Sequence, residues 1–135
     1  MNGNPDREQD EDEAAITRTT NAYFGGLYTS DVALLKSIFR SDAAIIGYDS
    51  AGTLQTMSRD TFLSFVETVP SPKDAGVAYD MEILSIDYTP TTAAVVVHDA
   101  YIKRDFIDYL LMVKDGEDWI IAAKMFHSEA QADLA

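Results

Sequence analysis

Apolar residues recur along this chain with two different periods, and the change of period divides it. From Ala14 to Tyr28, the residues Ile16, Tyr23, Phe24, Leu27 and Tyr28 stand at spacings of three, four and seven, with Thr20 filling the stripe. That spacing predicts an amphipathic helix. Gly25 and Gly26 inside it each weaken the helix by about 1 kcal/mol relative to alanine, which predicts a close approach by a neighbour. Thr29-Ser30-Asp31 closes this helix and caps a second, whose face is Leu34, Leu35, Ile38 and Phe39. Ala43–Tyr48 and Thr53–Met57 then flank the turn Asp49-Ser50-Ala51-Gly52 as a short strand pair. Ser58 caps a third helix with Phe62, Leu63 and Val66 on its buried side, ended by Pro70-Ser71-Pro72.

Beyond a loop through Gly76 the period falls to two. Strands are predicted over Val77–Tyr88, Ala93–Lys103, Phe106–Lys114 and Trp119–His127, with a tight turn near Arg104-Asp105. In the first, Val77, Tyr79, Met81 and Ile83 share one parity, whereas Leu84, Ile86 and Tyr88 share the other. The buried face therefore changes side near Ile83-Leu84, as at a bulge. In the last three strands both parities are apolar, so both sheet faces seek cover. Three modest helices cover one face only, which predicts a homodimer through the sheet.

Length, charge and composition narrow this picture. A chain of 135 residues, 47% of them hydrophobic, suits one domain with its own core. Met1 to Glu13 carries six acids, one base and no apolar residue after Met1. It is expected to be an acidic tail or a helical extension, the latter with Asn4 as cap and Pro5 at the first position. The domain is then 14–128, with a C-terminal tail over 129–135. A net charge of −13 disfavours nucleic acid and anionic membranes as partners. The absence of cysteine removes disulfides, thiol catalysis and cysteine-type metal sites. No apolar run approaches the roughly 18 residues of a membrane span, and the acidic start does not resemble a signal peptide, so a cytoplasmic protein is expected.

Several stretches are similar to members of the nuclear transport factor 2-like superfamily. They are Tyr23-Phe24-Gly25-Gly26-Leu27-Tyr28, the segment from Ser30-Asp31 to Ser41-Asp42-Ala43, Phe106-Ile107-Asp108-Tyr109-Leu110, and Trp119 through His127. Within it the chain resembles the branch called "Putative lumazine-binding", related to polyketide-cyclase-like and ketosteroid-isomerase-like members, over Ala14 to His127. The resemblance implies an α+β fold in which three helices pack in a strongly bent antiparallel sheet, forming a cone with an open mouth. The superfamily includes isomerases, dehydratases, cyclases, ligand binders and assembly modules, so chemistry must come from the site.

Asp108 is the sharpest candidate, because an aspartate within Phe106–Val113 must face a polar pocket or lose several kcal/mol to desolvation. As a catalytic residue it would be a general acid or base; as a structural one it would pair with Lys124 or with a tyrosine. Lys124 is the only charge between Trp119 and Phe126, so it pairs, most simply with Asp108, snorkels to an edge, or meets a ligand carboxylate or enolate. His98 and His127 are the two histidines and could shuttle protons, but neither lies in a metal motif, and no metal or cofactor is expected. Tyr23, Tyr48, Tyr79, Tyr109 and Trp119 could line a site for a small, planar, mostly apolar ligand. Two readings remain: a binding protein or cofactor-free isomerase, cyclase or dehydratase, and a non-catalytic interaction module with a filled cone.

Overall fold

The computed structural model describes residues 5–131. Its elements are α1 (Pro5–Thr29), α2 (Val32–Ile38), β1 (Phe39–Tyr48), β2 (Leu54–Ser58), α3 (Arg59–Thr68), β3 (Met81–Tyr88), β4 (Thr92–Tyr101), β5 (Arg104–Asp115) and β6 (Asp118–Ala130). The caps act as their residue types require: the Asp31 carboxylate accepts from Leu34 N and the Ser58 hydroxyl from Thr61 N, each at 3.1 Å. No helix among the described residues is long and apolar enough to cross a membrane.

The acidic segment is part of α1 from Pro5 onward, while residues 1–4, with the expected Asn4 cap, lie outside the described residues. It is not a passive extension. Asp12 is buried, receives Trp119 Nε1–H at 3.2 Å and meets Lys114 Nζ at 2.8 Å, and the Tyr88 hydroxyl donates to Gln9 O at 3.0 Å. One acid in the run is therefore buried against partners that a count of apolar residues does not reveal. At the other end β6 runs to Ala130, so Glu129 and Ala130 are strand rather than tail.

All six strands form one sheet in the order β2-β1-β6-β5-β4-β3. The pairs are antiparallel except β1 with β6, which run parallel, so the sheet is not wholly antiparallel. The expected parity switch is a register shift between Ile83 and Ser85 that leaves Leu84 without a partner on β4. A second shift lies between Leu111 and Met112, opposite Ala123 and Ile121. Such irregularities bend strands and increase twist, which curves the sheet around the helices. Val77 to Asp80 precede β3 and are not strand, and the β4–β5 turn is Ile102-Lys103, two residues before its expected place.

On the inner face Ile45, Val95, Val97, Leu110, Met112 and Ile121 pack in one core with Ile16, Phe24, Leu27, Leu35 and Val66 from the helices. The close approach expected at Gly25-Gly26 occurs at Gly26 alone. A Cβ there would stand 2.6 Å from Leu35 Cδ2, whereas one on Gly25 would meet nothing within 4 Å. Tyr109, Leu111 and Met125 point to the outer face and remain 44–53% exposed, so a single chain covers only one side of its sheet.

Candidate functional site

Between the curved sheet and α3 the inner face leaves a cavity of about 250 Å3. Leu27, Ile45, Met57, Phe62, Phe106 and Phe126 supply its apolar walls. Tyr48, Ser50, Phe65 and Ile102 also line it and are exposed, which marks where the cavity reaches solvent. Two polar groups in the lining are satisfied by neighbours. Arg104 donates through Nε to Ser128 Oγ at 2.9 Å and through Nη2 to Ser128 O at 3.1 Å. Asp49 accepts from Ala51 N, Thr53 N and Gln55 Nε2, each at 2.9 Å, and these bonds hold its carboxyl below the usual range.

The inner polar groups are less well matched. Pairing Val97 with Asp108 and Asp99 with Phe106 makes Asp99 and Asp108 diagonal neighbours on β4 and β5. Asp99 is 2% exposed and Asp108 0%. Asp108 Oδ2 accepts from the Tyr23 hydroxyl at 2.6 Å, and α1 places that tyrosine fully within the core. Asp99 stands within hydrogen-bonding reach of Asp108; burial first, then the negative charge of Asp108 and that bond, push its carboxyl well above the usual range, against the opposing pull of Lys124. Two like charges so placed cannot both persist, and one proton held on Asp99 gives the pair a hydrogen bond. Asp99 Oδ1, Asp108 Oδ1 and the Tyr101 hydroxyl otherwise have no hydrogen-bond partner. Burial and the charge of Asp99 raise the Tyr101 hydroxyl to about 12, so it stays a donor at neutral pH.

Lys124 lines the same cavity at 5% exposure. Its Nζ sits 4.3 Å from the Phe62 ring centroid, 5.2 Å from that of Tyr23 and 5.5 Å from that of Phe126. It forms no ion pair with Asp108: the register sets Lys124 opposite Leu110, and Asp108 accepts from Tyr23 instead.

Of the residues expected in a site, the cavity wall contains Tyr48 and Lys124; Asp108 and Tyr23 lie directly behind Asp99. The others lie elsewhere. Tyr109 is on the outer face because it alternates with Asp108, and Tyr79 packs edge-on against Tyr28 with ring centroids 5.2 Å apart, half exposed. Trp119 is buried where Asp12 receives its ring N–H. His127 is exposed beside Glu129. His98 is on the outer parity of β4, with Nε2 3.0 Å from Asp105 and Nδ1 3.9 Å from Asp80. Ligand atoms of these three lie within 4.8 Å of one another, but the Asp105 bond already occupies His98 Nε2, and the cluster ties β4 to β5 and to the segment before β3. Sequence reasoning missed Asp99 and Tyr101. The signal was present, since both share the inward parity of Val95 and Val97.

A family model described as "Putative lumazine-binding" matches residues 11–127. Among solved structures, a nuclear transport factor 2-like protein of unknown function from Silicibacter pomeroyi is 25% identical, with a TM-score of 0.82 over 90% of this chain and 98% of that one. Another of unknown function, from Shewanella baltica, is 21% identical with a TM-score of 0.77 over 96% and 100%. A cystatin-like fold protein from Burkholderia xenovorans is 12% identical with a TM-score of 0.66 over 91% and 95%. No curated protein matches the chain.

Proposed function

We propose, from the premise that this chain belongs to the "Putative lumazine-binding" family, that its cone binds one small, planar, largely apolar molecule and presents a proton to its polar end. The observation that carries this reading is an unfilled cavity of about 250 Å3 with apolar and aromatic walls and Asp99, Tyr101 and Lys124 together in its lining. That volume is just below the usual range of about 300–1,000 Å3 for drug-sized guests, which suits a molecule of two or three rings. A module used only for assembly has no need of such a space, nor of buried polar groups left without partners.

The Tyr101 hydroxyl is a donor suited to a carbonyl oxygen or ring nitrogen, and the one proton that Asp99 directs at Asp108 can turn to the guest instead. Asp99 can also give its proton up and regain it, with Asp108 and Tyr23 behind it redistributing the charge. An isomerase, cyclase or dehydratase without a cofactor would use that chemistry. The test is a thermal-shift panel at pH 7 containing lumazine, riboflavin, aromatic acids and polyketide-like lactones. At least one planar compound should raise the melting temperature saturably, and the cavity-filling Met57→Trp should abolish the rise. A flat response across the panel would refute the reading and leave the interaction module.

A further inference from the structure

We infer that the guest is a planar monoanion whose carboxylate pairs with Lys124; this rests on the cavity being a binding site, as proposed above. Lys124 is only 5% exposed, lines the cavity, and forms neither a hydrogen bond nor an ion pair among the described residues. A lysine this enclosed meets little water beyond the cavity it lines, and an ammonium that loses hydration without an acceptor is costly. Its surroundings instead hold it without satisfying it. The rings of Phe62, Tyr23 and Phe126 attract the positive charge from three sides, with the nearest centroid at 4.3 Å, yet none offers a lone pair to its N–H groups.

The other charged groups in the lining do not supply the missing acceptor. Arg104 is bound to Ser128, and Asp49 is occupied by Gln55 and two backbone amides. Asp99 is held neutral by its burial and by Asp108, to which its one proton is directed, so it offers Lys124 no anion. Lys124 and Tyr101 are thus two donors around one chamber, and a carboxylate is the group that accepts from both at once. The aromatic walls fit a flat body behind it. A dianion such as a phosphate monoester is disfavoured, because the charge shared by Asp99 and Asp108 lies close by and the whole chain carries −13.

The experiment is titration calorimetry at pH 6 with 2-naphthoate and its neutral isostere 2-naphthamide, on the full chain and on Lys124→Met and Lys124→Arg. The wild type should bind the naphthoate at least about tenfold more tightly than the amide. Lys124→Met should lose that preference while keeping its affinity for the amide, and Lys124→Arg should retain a preference. Because the naphthoate-to-amide ratio is read on the wild type itself, misfolding of a variant does not remove the test. Equal affinities in the wild type, or a preference that survives in a folded Lys124→Met, would overturn the inference. Binding of the amide alone would overturn it too while leaving the cavity reading intact, whereas no binding of either probe together with a flat thermal-shift panel would sink both.

Discussion

Replacing Asp99 with asparagine keeps the size and shape of the side chain and removes its ability to ionise. In the folded chain the Asp99 carboxyl titrates well above its ordinary value, chiefly through burial and then through the charge of Asp108. In the unfolded chain it titrates near 3.9. Between those two values the folded state binds more protons than the unfolded one, so stability falls as pH rises, by about 1.4 kcal/mol per pH unit for as long as Asp99 keeps its proton. Below the unfolded value the penalty is absent. The asparagine variant escapes the penalty at every pH, and its amide can donate to Asp108 as the carboxylic acid does. Asp99→Asn should therefore match the wild type near pH 4 and become progressively more stable than it as pH rises from there until Asp99 ionises in the folded chain. Urea denaturation followed through Trp119 fluorescence at pH 4.0, 5.0, 6.0 and 7.0 measures the difference directly. A variant that is destabilised equally at every pH would show that Asp99 folds as an ionised residue, and the proton assigned to the carboxyl pair would be wrong.

Tyr23→Phe removes the 2.6 Å hydroxyl donor to Asp108 Oδ2 and should destabilise by about 1.5–3 kcal/mol, read from the urea midpoint at pH 7. Gly25→Ala should stabilise by up to about 1 kcal/mol through helix propensity, whereas Gly26→Ala should destabilise by about 1–3 kcal/mol because its Cβ would strike Leu35; a matched effect at both sites would contradict the packing described. Lys114 and the Trp119 ring hold the Asp12 carboxyl below its usual range, so its contribution is present above the unfolded value and lost as pH falls through the folded one. Asp12→Asn should accordingly lower the melting temperature by a few degrees at pH 7 and leave it unchanged near pH 2. We propose that a second copy covers Tyr109, Leu111 and Met125, burying more than about 1,000 Å2 in total. Met125→Glu should then yield monomers in sedimentation, and a wild-type monomer at low micromolar concentration would refute the dimer.

Local rules carried well where one residue type answers one backbone need. The Asp31 and Ser58 caps and the bulge beside Leu84 were all readable, because capping and parity act over a few residues. Parity also separates Tyr109 from Asp108, which makes the outward position of Tyr109 legible in retrospect. The Ile102-Lys103 turn was not readable. Both residues adopt positive φ, 49° and 61°, at positions that glycine and asparagine usually occupy, and a β-branched residue there costs about 1–2 kcal/mol. Only the pairing of the flanking strands imposes that conformation. Asp99 was legible by its inward parity with Val95 and Val97, but its place opposite Phe106 depends on where that turn lies. The Asp99–Asp108 contact is a diagonal across two strands, which no spacing along the chain announces.

The position of β6 at the centre of the sheet governs when the protein can exist at all. It is the last described element in chain order, yet it alone connects the β2-β1 pair to the β5-β4-β3 meander. A nascent chain that lacks it has two unjoined pieces with open edges, one of them ending in the apolar β5 strand that is prone to wrong pairing. Closure of the sheet is therefore a late event dominated by contacts between residues far apart in sequence, the slow class of folding step. Lys124 and Phe126 arrive on that same strand, so the chamber acquires its cation and one of its aromatic walls only as the fold is completed. A shortened product that keeps every helix would still lack this side of the cavity wall, and would expose at the ribosome or to a protease the two edges that β6 normally seals.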